Sequence, residues 1–358
     1  MDAGGKLEQA RRYLAENARL RSELGVAPGE DLACEPLGAG EHNDNYVFSV
    51  PGAASRCVLR VCAAPQPFHA DQVAYEEAAL RALAPSGRTP RVLYRDSSPS
   101  APGFGVLVIS FCAGQMLDFD ALRPGDLRCA AKILADVHAV RTEGDCPLHR
   151  PADPLRELFG ECMERYEAYL RSGFADARIS SRAERLVERA RALADAAPAP
   201  APAAPARIVN TEPLASHFLI PRESAAAAAA AGPSSPFHGD PGSFIDWERP
   251  VLGEPAQDLA YFTAPTTTFW NSSRLFSARE EADFIEAYWR EADGRVERDG
   301  FDERYPAWRA LTLLRSTTWC CRAWGQCGGE PARHPSEKAR EKLSAYLSDA
   351  FFERILPA

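Results

Sequence analysis

The first third of the chain combines helical and strand-like patterns of hydrophobic residues. Over 4–24 the apolar residues recur at three- and four-residue steps and Gly25 follows, which predicts a helix. The segment 71–84 has the same helical spacing. Short apolar runs bounded by turn residues are typical of strands, and they occur at 46–50, 57–61, 91–94 and 106–111. This part of the chain therefore predicts a small lobe with a sheet and one main helix.

From about residue 126 onward the hydrophobic spacing is mostly helical. Helices are predicted from 126, over 154–171, and from Ser181, where Glu184 three residues on completes a capping-box pattern. Three more are predicted near 278–292, 305–325 and 336–353. Two low-complexity segments rich in alanine and proline, 196–206 and 224–236, interrupt this region. The change of pattern predicts two domains, 1–112 and 113–358.

Composition narrows the class of protein. The chain has 358 residues, 46% of them hydrophobic and 25% charged, which is typical of a globular protein with one or two domains. A net charge of −9 argues against nucleic acid or an anionic membrane as the main partner, and weakly favours a cationic small molecule. No apolar run is long enough for a membrane span. The 10 scattered cysteines form no C-x-x-C pair, which indicates reduced thiols and a cytoplasmic location.

A glycine-containing segment is the first candidate for chemistry. Leu37 to Tyr46 includes Gly38, Gly40 and Asn43 and leads into a predicted strand. Glycines let the backbone approach a phosphate closely and direct N–H groups at it. An ordinary hairpin turn explains the same residues equally well.

Arg60 is the second candidate, because it stands alone as a cation on the apolar strand Val58 to Val61. An isolated cation on such a strand is costly unless it is paired, and Glu76 on the following helix is the natural partner. Kinase-type phosphoryl transfer uses such a pair, in which a strand cation binds the nucleotide phosphates and a helix glutamate braces it. The alternative is an edge-strand arginine in solvent.

Two polar sites follow apolar strands in the second half. The segment 208–220 places a polar loop between two apolar runs, and Phe244 to Glu248 is an apolar strand that ends in acids. Asp246 is a suitable ligand for magnesium, which prefers one or two carboxylates together with substrate phosphates. The alternative for both segments is an ordinary hairpin with surface acids.

In their order along 35–265 these segments resemble the aminoglycoside phosphotransferase and choline kinase family, which has a protein-kinase-like fold. The matching segments are Gly40-x-x-Asn43-x-x-Tyr46, Val58-Leu59-Arg60, Tyr75-Glu76, Val106 to Gly114, Leu134 to His138, Asp246-Trp247-Glu248, Gly253-Glu254-Pro255 and Asp258-Leu259-Ala260. The resemblance implies a bilobal α+β fold, with a small antiparallel-sheet lobe that carries one key helix and a larger, mainly helical lobe. It also implies that 106–114 carries adenine and that His138 is structural.

The catalytic loop departs from the family's usual pattern of His-Gly-Asp followed five residues later by Asn. Aligned on the flanking strands, this chain has Asn210-Thr211-Glu212 and then His217 at the fifth position, which resembles a subgroup with an Asn-Thr-Glu loop. The resemblance implies Glu212 as the catalytic base with Asn210 beside it. It implies Asp246 and His217 as the metal contacts, although magnesium favours oxygen ligands over a histidine nitrogen.

A second triplet competes with this assignment. His238-Gly239-Asp240 spells the family's usual sequence, but Asp240 lies only six residues before Asp246 (246 − 240). Such a short interval has no room for the metal-binding asparagine or for the hairpin that separates the two sites. The sequence therefore favours Glu212 over Asp240 as the base.

The resemblance implies an ATP- and Mg²⁺-dependent phosphotransferase that acts on a hydroxyl of an aminoglycoside-, sugar- or amino-alcohol-like molecule. Arg60 and Glu76, together with Gly38, Gly40 and Asn43, are the expected nucleotide-binding residues. The altered catalytic loop leaves a nucleotide-binding, pseudokinase-like regulator as the alternative. The acid-rich segment 279–304 suits an amine-bearing acceptor or, more often, a solvated helix face. The sequence leaves the oligomeric state open.

Overall fold

The computed structural model describes residues 3–39, 42–53, 55–64, 69–142, 146–199, 205–221 and 242–356. The chain divides into two compact units that interleave along the sequence. Unit 1 contains Met1–Gln115, Val140–His149 and Phe218–Pro250, and unit 2 contains Met116–Ala139, Arg150–His217 and Val251–Ala358. The sequence-based division at 112/113 stays a prediction about domains.

Unit 1 is built on an antiparallel sheet of five strands. The strands are β1 (Cys34–Ala39), β2 (Asn43–Ser49), β3 (Arg56–Cys62), β4 (Val92–Asp96) and β5 (Val106–Ser110), in the spatial order β1-β2-β3-β5-β4. The central strand β3 is buried from Cys57 to Cys62, which explains its apolar composition. Arg60 lies in its middle, opposite Asn45 of β2 and Leu107 of β5. The predicted antiparallel sheet is confirmed.

Helices cover this sheet at its N-terminal end, where the prediction of one helix over 4–24 is wrong. The segment forms α1 (Ala3–Glu16) and α2 (Ala18–Glu23), separated by Asn17. Asn17 has an extended backbone, and its side chain accepts a hydrogen bond from the amide of Leu20, so it caps α2. Leu14 and Leu20 are fully buried against the strands, because the break lets both helices turn apolar side chains to one core.

The helix predicted over 71–84 is confirmed as α3 (Gln72–Leu83). Its N-cap is Asp71, whose side chain accepts from the amide of Ala74 at 2.9 Å. Unit 1 also contains the short hairpin of β8 (Phe218–Ile220) and β9 (Ser243–Phe244). The strand β9 leads directly into the segment that carries Asp246.

Unit 2 is mainly helical, as predicted. Its helices are α4 (Asp126–His138), α5 (Pro154–Leu170), α6 (Ala177–Ala196), α7 (Pro255–Thr263), α8 (Pro265–Asn271), α9 (Ala278–Ala292), α10 (Phe301–Gln326), α11 (Glu337–Tyr346) and α12 (Asp349–Ile355). Strands β7 (Arg207–Val209) and β10 (Val251–Gly253) pair antiparallel within it. The two-residue strand β6 (Gln115–Met116) contains the last residue of the first segment of unit 1 and the first residue of unit 2. Together with the sheet of unit 1, this confirms an α+β fold.

Several helix boundaries in unit 2 differ from the predictions. Ser181 lies inside α6, which begins four residues earlier after the N-cap Asp176, so the predicted capping box is wrong. The helix predicted over 336–353 is two helices, because Ser348 caps a new one. Helices α7 and α8 were not predicted, since each begins with a proline. Proline is tolerated in the first turn of a helix, where its missing N–H has no intrahelical partner.

The structure describes little of the low-complexity segments and nothing of the competing triplet. The low-complexity segment 224–236 and the triplet His238-Gly239-Asp240 lie outside the described residues, and 196–206 lies only partly within them. In the described part of the chain, no helix is long and apolar enough to cross a membrane. The 10 cysteines are all free thiols.

Candidate functional site

The first cluster of candidate residues is centred on Arg60 in unit 1. The Arg60 side chain is almost fully buried, and its Nε donates to Oε2 of Glu76 at 3.1 Å. Glu76 is itself 3% exposed and lies on α3. The ion pair expected between the strand cation and the helix glutamate is therefore present. The sheet fixes the position of one partner and the helix that of the other.

Asp246 joins this cluster from the segment after β9. Its Oδ1 accepts a hydrogen bond from Nη2 of Arg60 at 2.9 Å. Asp246 has a positive φ of 68°, a conformation that aspartate tolerates better than most residues. Its neighbour Trp247 is fully buried and donates its indole N–H to the carbonyl of Phe244 at 2.9 Å. The buried tryptophan anchors the turn, and the left-handed residue turns its carboxylate to Arg60.

Glu248 brings a third carboxylate to the same guanidinium. Its Oε1 accepts from Nη2 of Arg60 at 2.7 Å. Burial, reinforced by the neighbouring Asp246 carboxylate and opposed by Arg60, raises the pKa of Glu248 to about 8. Burial also raises the pKa of Glu76, while Arg60 lowers it. Three carboxylates thus share one cation, and the cluster holds more acidic groups than Arg60 can neutralise.

Helix α3 holds the Asp246–Glu248 segment through its first turn. Nε2 of Gln72 donates to the carbonyl of Glu248 at 2.7 Å, and the Tyr75 hydroxyl donates to the carbonyl of Pro250 at 2.5 Å. The same helix carries Glu76. One rigid element therefore positions both the glutamate that braces Arg60 and the segment that presents Asp246.

The predicted phosphate-binding segment forms the β1–β2 hairpin. Asn43 is buried, and its side-chain amide donates to the carboxylate of Glu248. Gly38 lies in β1 beside an irregularity of the β1–β2 pairing, and a Cβ on it would meet open space. Gly40 lies outside the described residues. The structure therefore brings Asn43 into direct contact with the carboxylate cluster.

The donor set of this cluster fits a hard cation. Within the described residues, no group of three or more His, Cys, Asp or Glu side chains is arranged to hold a metal ion. Mg²⁺ does not require such a group, because it takes one or two protein carboxylates and completes its shell with phosphate and water oxygens. Asp246 and Glu248 supply two carboxyl groups that both contact Nη2 of Arg60, so they lie next to each other. Their chemistry suits Mg²⁺ bound together with a phosphate ligand.

The raised pKa of Glu248 predicts a pH-dependent stability. An unfolded glutamate ionises near pH 4.5, whereas the folded one ionises near pH 8, so the folded form holds an extra proton between these values. The free energy of unfolding therefore falls as the pH rises from about 4.5 to about 8. Glutamine does not ionise, so Glu248→Gln removes this fall in the free energy of unfolding. We expect the Tm of the variant, relative to the wild type, to rise by at least about 3 °C between pH 5 and pH 9.

Thermal unfolding followed by circular dichroism at both pH values measures this difference. Glu23→Gln is the matched control, because Glu23 is a surface glutamate paired with Arg19 in the same unit. Its Tm difference from the wild type should not change with pH. A constant difference for Glu248→Gln as well would contradict the raised pKa.

The second cluster lies in unit 2, in the loop after the buried strand β7. The Asp258 carboxylate of α7 accepts from the amides of Asn210 and Thr211, at 2.7 and 2.8 Å. Thr211 has a positive φ of 74°, which is unusual for a β-branched residue. The side-chain oxygen of Asn210 accepts from the amide of Glu212 at 3.2 Å. Each backbone amide from 210 to 212 thus has a fixed acceptor.

A buried histidine supports Asp258 from the other side. Nε2 of His138 lies 3.2 Å from the Asp258 carboxylate, and Nδ1 lies 3.0 Å from the Tyr288 hydroxyl. All three side chains are fully buried. Since a carboxylate only accepts hydrogen bonds, the network is complete when Nε2 donates to Asp258 and Tyr288 donates to Nδ1. This agrees with a structural role for His138.

Glu212 follows the strained threonine and carries the proposed catalytic carboxylate. Its side chain is 41% exposed and forms an ion pair with the buried Arg315 of α10. Nη1 of Arg315 also donates to the carbonyl of Thr211 at 2.9 Å. Burial opposes the charge of Arg315, but the Glu212 carboxylate offsets it, so the pKa of Arg315 lies above its ordinary value. A charged, half-exposed glutamate therefore stands at the end of a rigid loop.

The other predicted residues are placed as follows. His217 ends a short 3-10 turn in unit 2, and its amide donates to the carbonyl of Leu214 at 2.9 Å. Its role as a metal contact stays a prediction.

In the acid-rich segment 279–304, many carboxylates form ion pairs within the protein, such as Asp283 with Arg279 and Glu291 with Arg128. This pattern favours a helix surface whose carboxylates pair with arginines of the protein over a binding site for an amine-bearing acceptor.

Three functional candidates were not predicted from the sequence. Glu248 lies two residues after Asp246, so an extended segment would direct both to one side. Arg315 interrupts the apolar run from Leu311 to Leu314, the same signal that identified Arg60. Gln72 gave no signal, because a glutamine in the first turn of a helix is ordinary.

Comparisons with known proteins show the family and the fold of the chain. Residues 33–220 match the family profile of APH, the phosphotransferase enzyme family. A spectinomycin phosphotransferase solved with ADP and spectinomycin is similar in fold, with a TM-score of 0.58 and 13% identity over 96% of both chains. Ethanolamine kinase from Plasmodium vivax has a TM-score of 0.60 and 12% identity, over 97% of this chain and 90% of the other.

Choline kinase from Cryptosporidium parvum is also similar, with a TM-score of 0.57 and 15% identity over 94% of this chain and 97% of the other. At such low identities these likenesses concern the fold. No curated protein sequence matches the chain.

Proposed function

The chain belongs to the phosphotransferase enzyme family, and we propose that this small-molecule kinase transfers the γ-phosphoryl group of ATP to a hydroxyl group. The acceptor oxygen forms a bond to the γ-phosphorus while the bond from that phosphorus to the β–γ bridging oxygen breaks. ADP leaves with the bonding electrons, and the hydroxyl proton passes to a carboxylate and then to solvent. The observation that carries the proposal is the buried Arg60–Glu76 ion pair next to Asp246 and Glu248.

Arg60 would bind the α- and β-phosphates. A phosphoryl-transfer enzyme mainly positions its substrates and neutralises charge, and a cation braced by a glutamate does both. Glu76 fixes the guanidinium, and the 38–45 hairpin with Asn43 would cover the phosphates. That relatives were solved with ADP supports a nucleotide in this role.

Asp246 and Glu248 would hold Mg²⁺, with His217 as a further candidate contact. The bound ion supplies charge neutralisation on the phosphates. Glu248 would release its proton to solvent when it binds the ion, and Arg60 would keep its pairing with Glu76. The excess of carboxylates in the cluster supports this assignment.

Glu212 would accept the proton of the acceptor hydroxyl. Its carboxylate is exposed enough to meet a substrate, while its backbone is fixed by Asn210 and Asp258. Glutamate is one methylene longer than the aspartate that the family usually has. The acceptor must therefore bind slightly farther from the loop backbone.

The names of similar structures support a proposal for the acceptor class. Similar structures act on spectinomycin, choline and ethanolamine, as their names state. We propose a hydroxyl compound of the aminoglycoside, sugar or amino-alcohol type. ATP with spectinomycin, hygromycin B, ethanolamine, choline and glucose forms a suitable panel, in which ADP release is measured with and without each acceptor.

The expected result is acceptor-dependent ADP release with at least one compound class. ATP binding without release for every acceptor, in a panel widened to other hydroxyl metabolites, would contradict the proposal. That outcome would instead favour a nucleotide-binding regulator.

A further inference from the structure

The loop that carries Glu212 contains a conformation that must be held by its surroundings. A β-branched residue in the left-handed region, such as Thr211 with φ 74°, is strained. Such a conformation persists only where neighbouring groups over-determine it. The groups that hold Thr211 are therefore candidates for a role in function.

Two side chains hold the peptide groups of Thr211 from its two ends. Asp258 accepts from its amide, and Arg315 donates to its carbonyl at 2.9 Å. Asp258 contacts this loop through the backbone amides of Asn210 and Thr211. Arg315 also contacts the carboxylate of Glu212 through its second amino group, Nη2. Arg315 thus contacts both the Thr211 carbonyl of the loop backbone and the Glu212 carboxylate.

The geometry of arginine suits this double contact. The guanidinium is planar and presents its N–H groups in a fixed fork, so the two acceptors are held at a fixed separation. Arg315 is 7% exposed on α10, whereas the Glu212 side chain is 41% exposed. A buried, rigid donor therefore limits the rotamers of the half-exposed Glu212 side chain.

We propose that Arg315 is a positioning residue of the phosphotransferase, which fixes the Glu212 carboxylate and the strained Thr211 peptide in the orientation that receives the acceptor hydroxyl. This inference rests on the proposed function, since it assumes that Glu212 meets the acceptor. It assigns to Arg315 a role that acts through Glu212 and Thr211.

The test compares Arg315→Met, Arg315→Lys and a matched control. Arg309→Met is the control, because Arg309 lies on the same helix and pairs with Glu281 away from the loop, at 2.8 Å. ADP release is measured with ATP and the panel acceptor that gives the fastest release. Arg315→Met is expected to lower kcat by about 100-fold, the effect of a small misplacement of a reacting group, with KM for ATP unchanged.

Arg315→Lys gives an intermediate loss of about tenfold, because lysine keeps the charge but satisfies only one of the two acceptors. Arg309→Met retains the kcat of the wild type. Equal kcat values for Arg315→Met and Arg309→Met would overturn the inference, and so would a kcat of Arg315→Lys as low as that of Arg315→Met.

A double-mutant cycle with Glu212→Ala, which removes the contact to Arg315, separates positioning from a loss of fold. Denaturant unfolding is measured for Arg315→Met, Glu212→Ala and the double variant. If the two side chains act together, the double variant loses less stability than the sum of the single losses. Additive losses would overturn the inference even if both enzymes were impaired. A wild type without ADP release for any acceptor would instead overturn the proposed function, and this inference with it.

Discussion

Glu212→Gln is expected to lower kcat for phosphoryl transfer by about 10²–10⁴-fold, the usual contribution of a general base. Glutamine keeps the size of the side chain and an oxygen that accepts from Arg315, so the loop should stay in place. It cannot take up the hydroxyl proton. The measurement is ADP release with a saturating acceptor, together with the KM for ATP, which should not change.

Two further variants control this experiment. Glu281→Gln changes a glutamate of the same unit that pairs with Arg309 and Tyr305, and it should leave kcat unchanged. Glu212→Asp restores the acid that is usual in the family, but one methylene closer to the backbone, and should keep part of the activity. Wild-type kcat in a folded Glu212→Gln protein would remove Glu212 from the mechanism.

The second large effect is expected at Asp246. Asp246→Asn removes one negative charge from the carboxylate cluster and leaves a residue that also tolerates a positive φ. The variant would hold Mg²⁺ less tightly, and this ion would neutralise charge on the phosphates. Because charge neutralisation dominates phosphoryl transfer, we expect a loss of about 100-fold or more in kcat/KM for ATP. ADP release measured over a range of Mg²⁺ concentrations checks this.

Asp96→Asn is the matched control in the same unit. Asp96 accepts from the Tyr13 hydroxyl at 2.6 Å, in a network that does not include Arg60. Its substitution should leave kcat/KM unchanged. If Asp246→Asn retained wild-type rates, or lost activity only in proportion to a lower Tm, the nucleotide role of this cluster would be wrong.

The cluster centred on Arg60 could be predicted from the sequence to a large extent, for physical reasons. An arginine inside an apolar strand needs a buried anion, and one helix with a suitable glutamate follows it. The same argument did not identify the partner of Arg315, because Glu212 lies 103 residues away and a helix can direct an arginine to many neighbours. Contacts of that range depend on how helices pack, which hydrophobic spacing does not specify.

Local details at helix ends were also not predicted. The spacing of leucines runs through Asn17, yet the asparagine side chain competes for the backbone and starts a new helix. Proline at the start of α7 and α8 resembles a breaker in sequence, although it fits the first turn. Strain at Thr211 and Asp246 has no sequence signature, because neither residue type requires a positive φ.

In the proposed reaction, the γ-phosphoryl group of ATP becomes bonded to the oxygen of an acceptor hydroxyl. Phosphorus-31 NMR of ATP with the best acceptor of the panel tests it directly. With the wild-type protein, one phosphomonoester signal should grow for each ADP formed, and Glu212→Gln should give almost none. ADP accompanied only by inorganic phosphate, or nucleotide binding without any new phosphorus signal, would contradict the account.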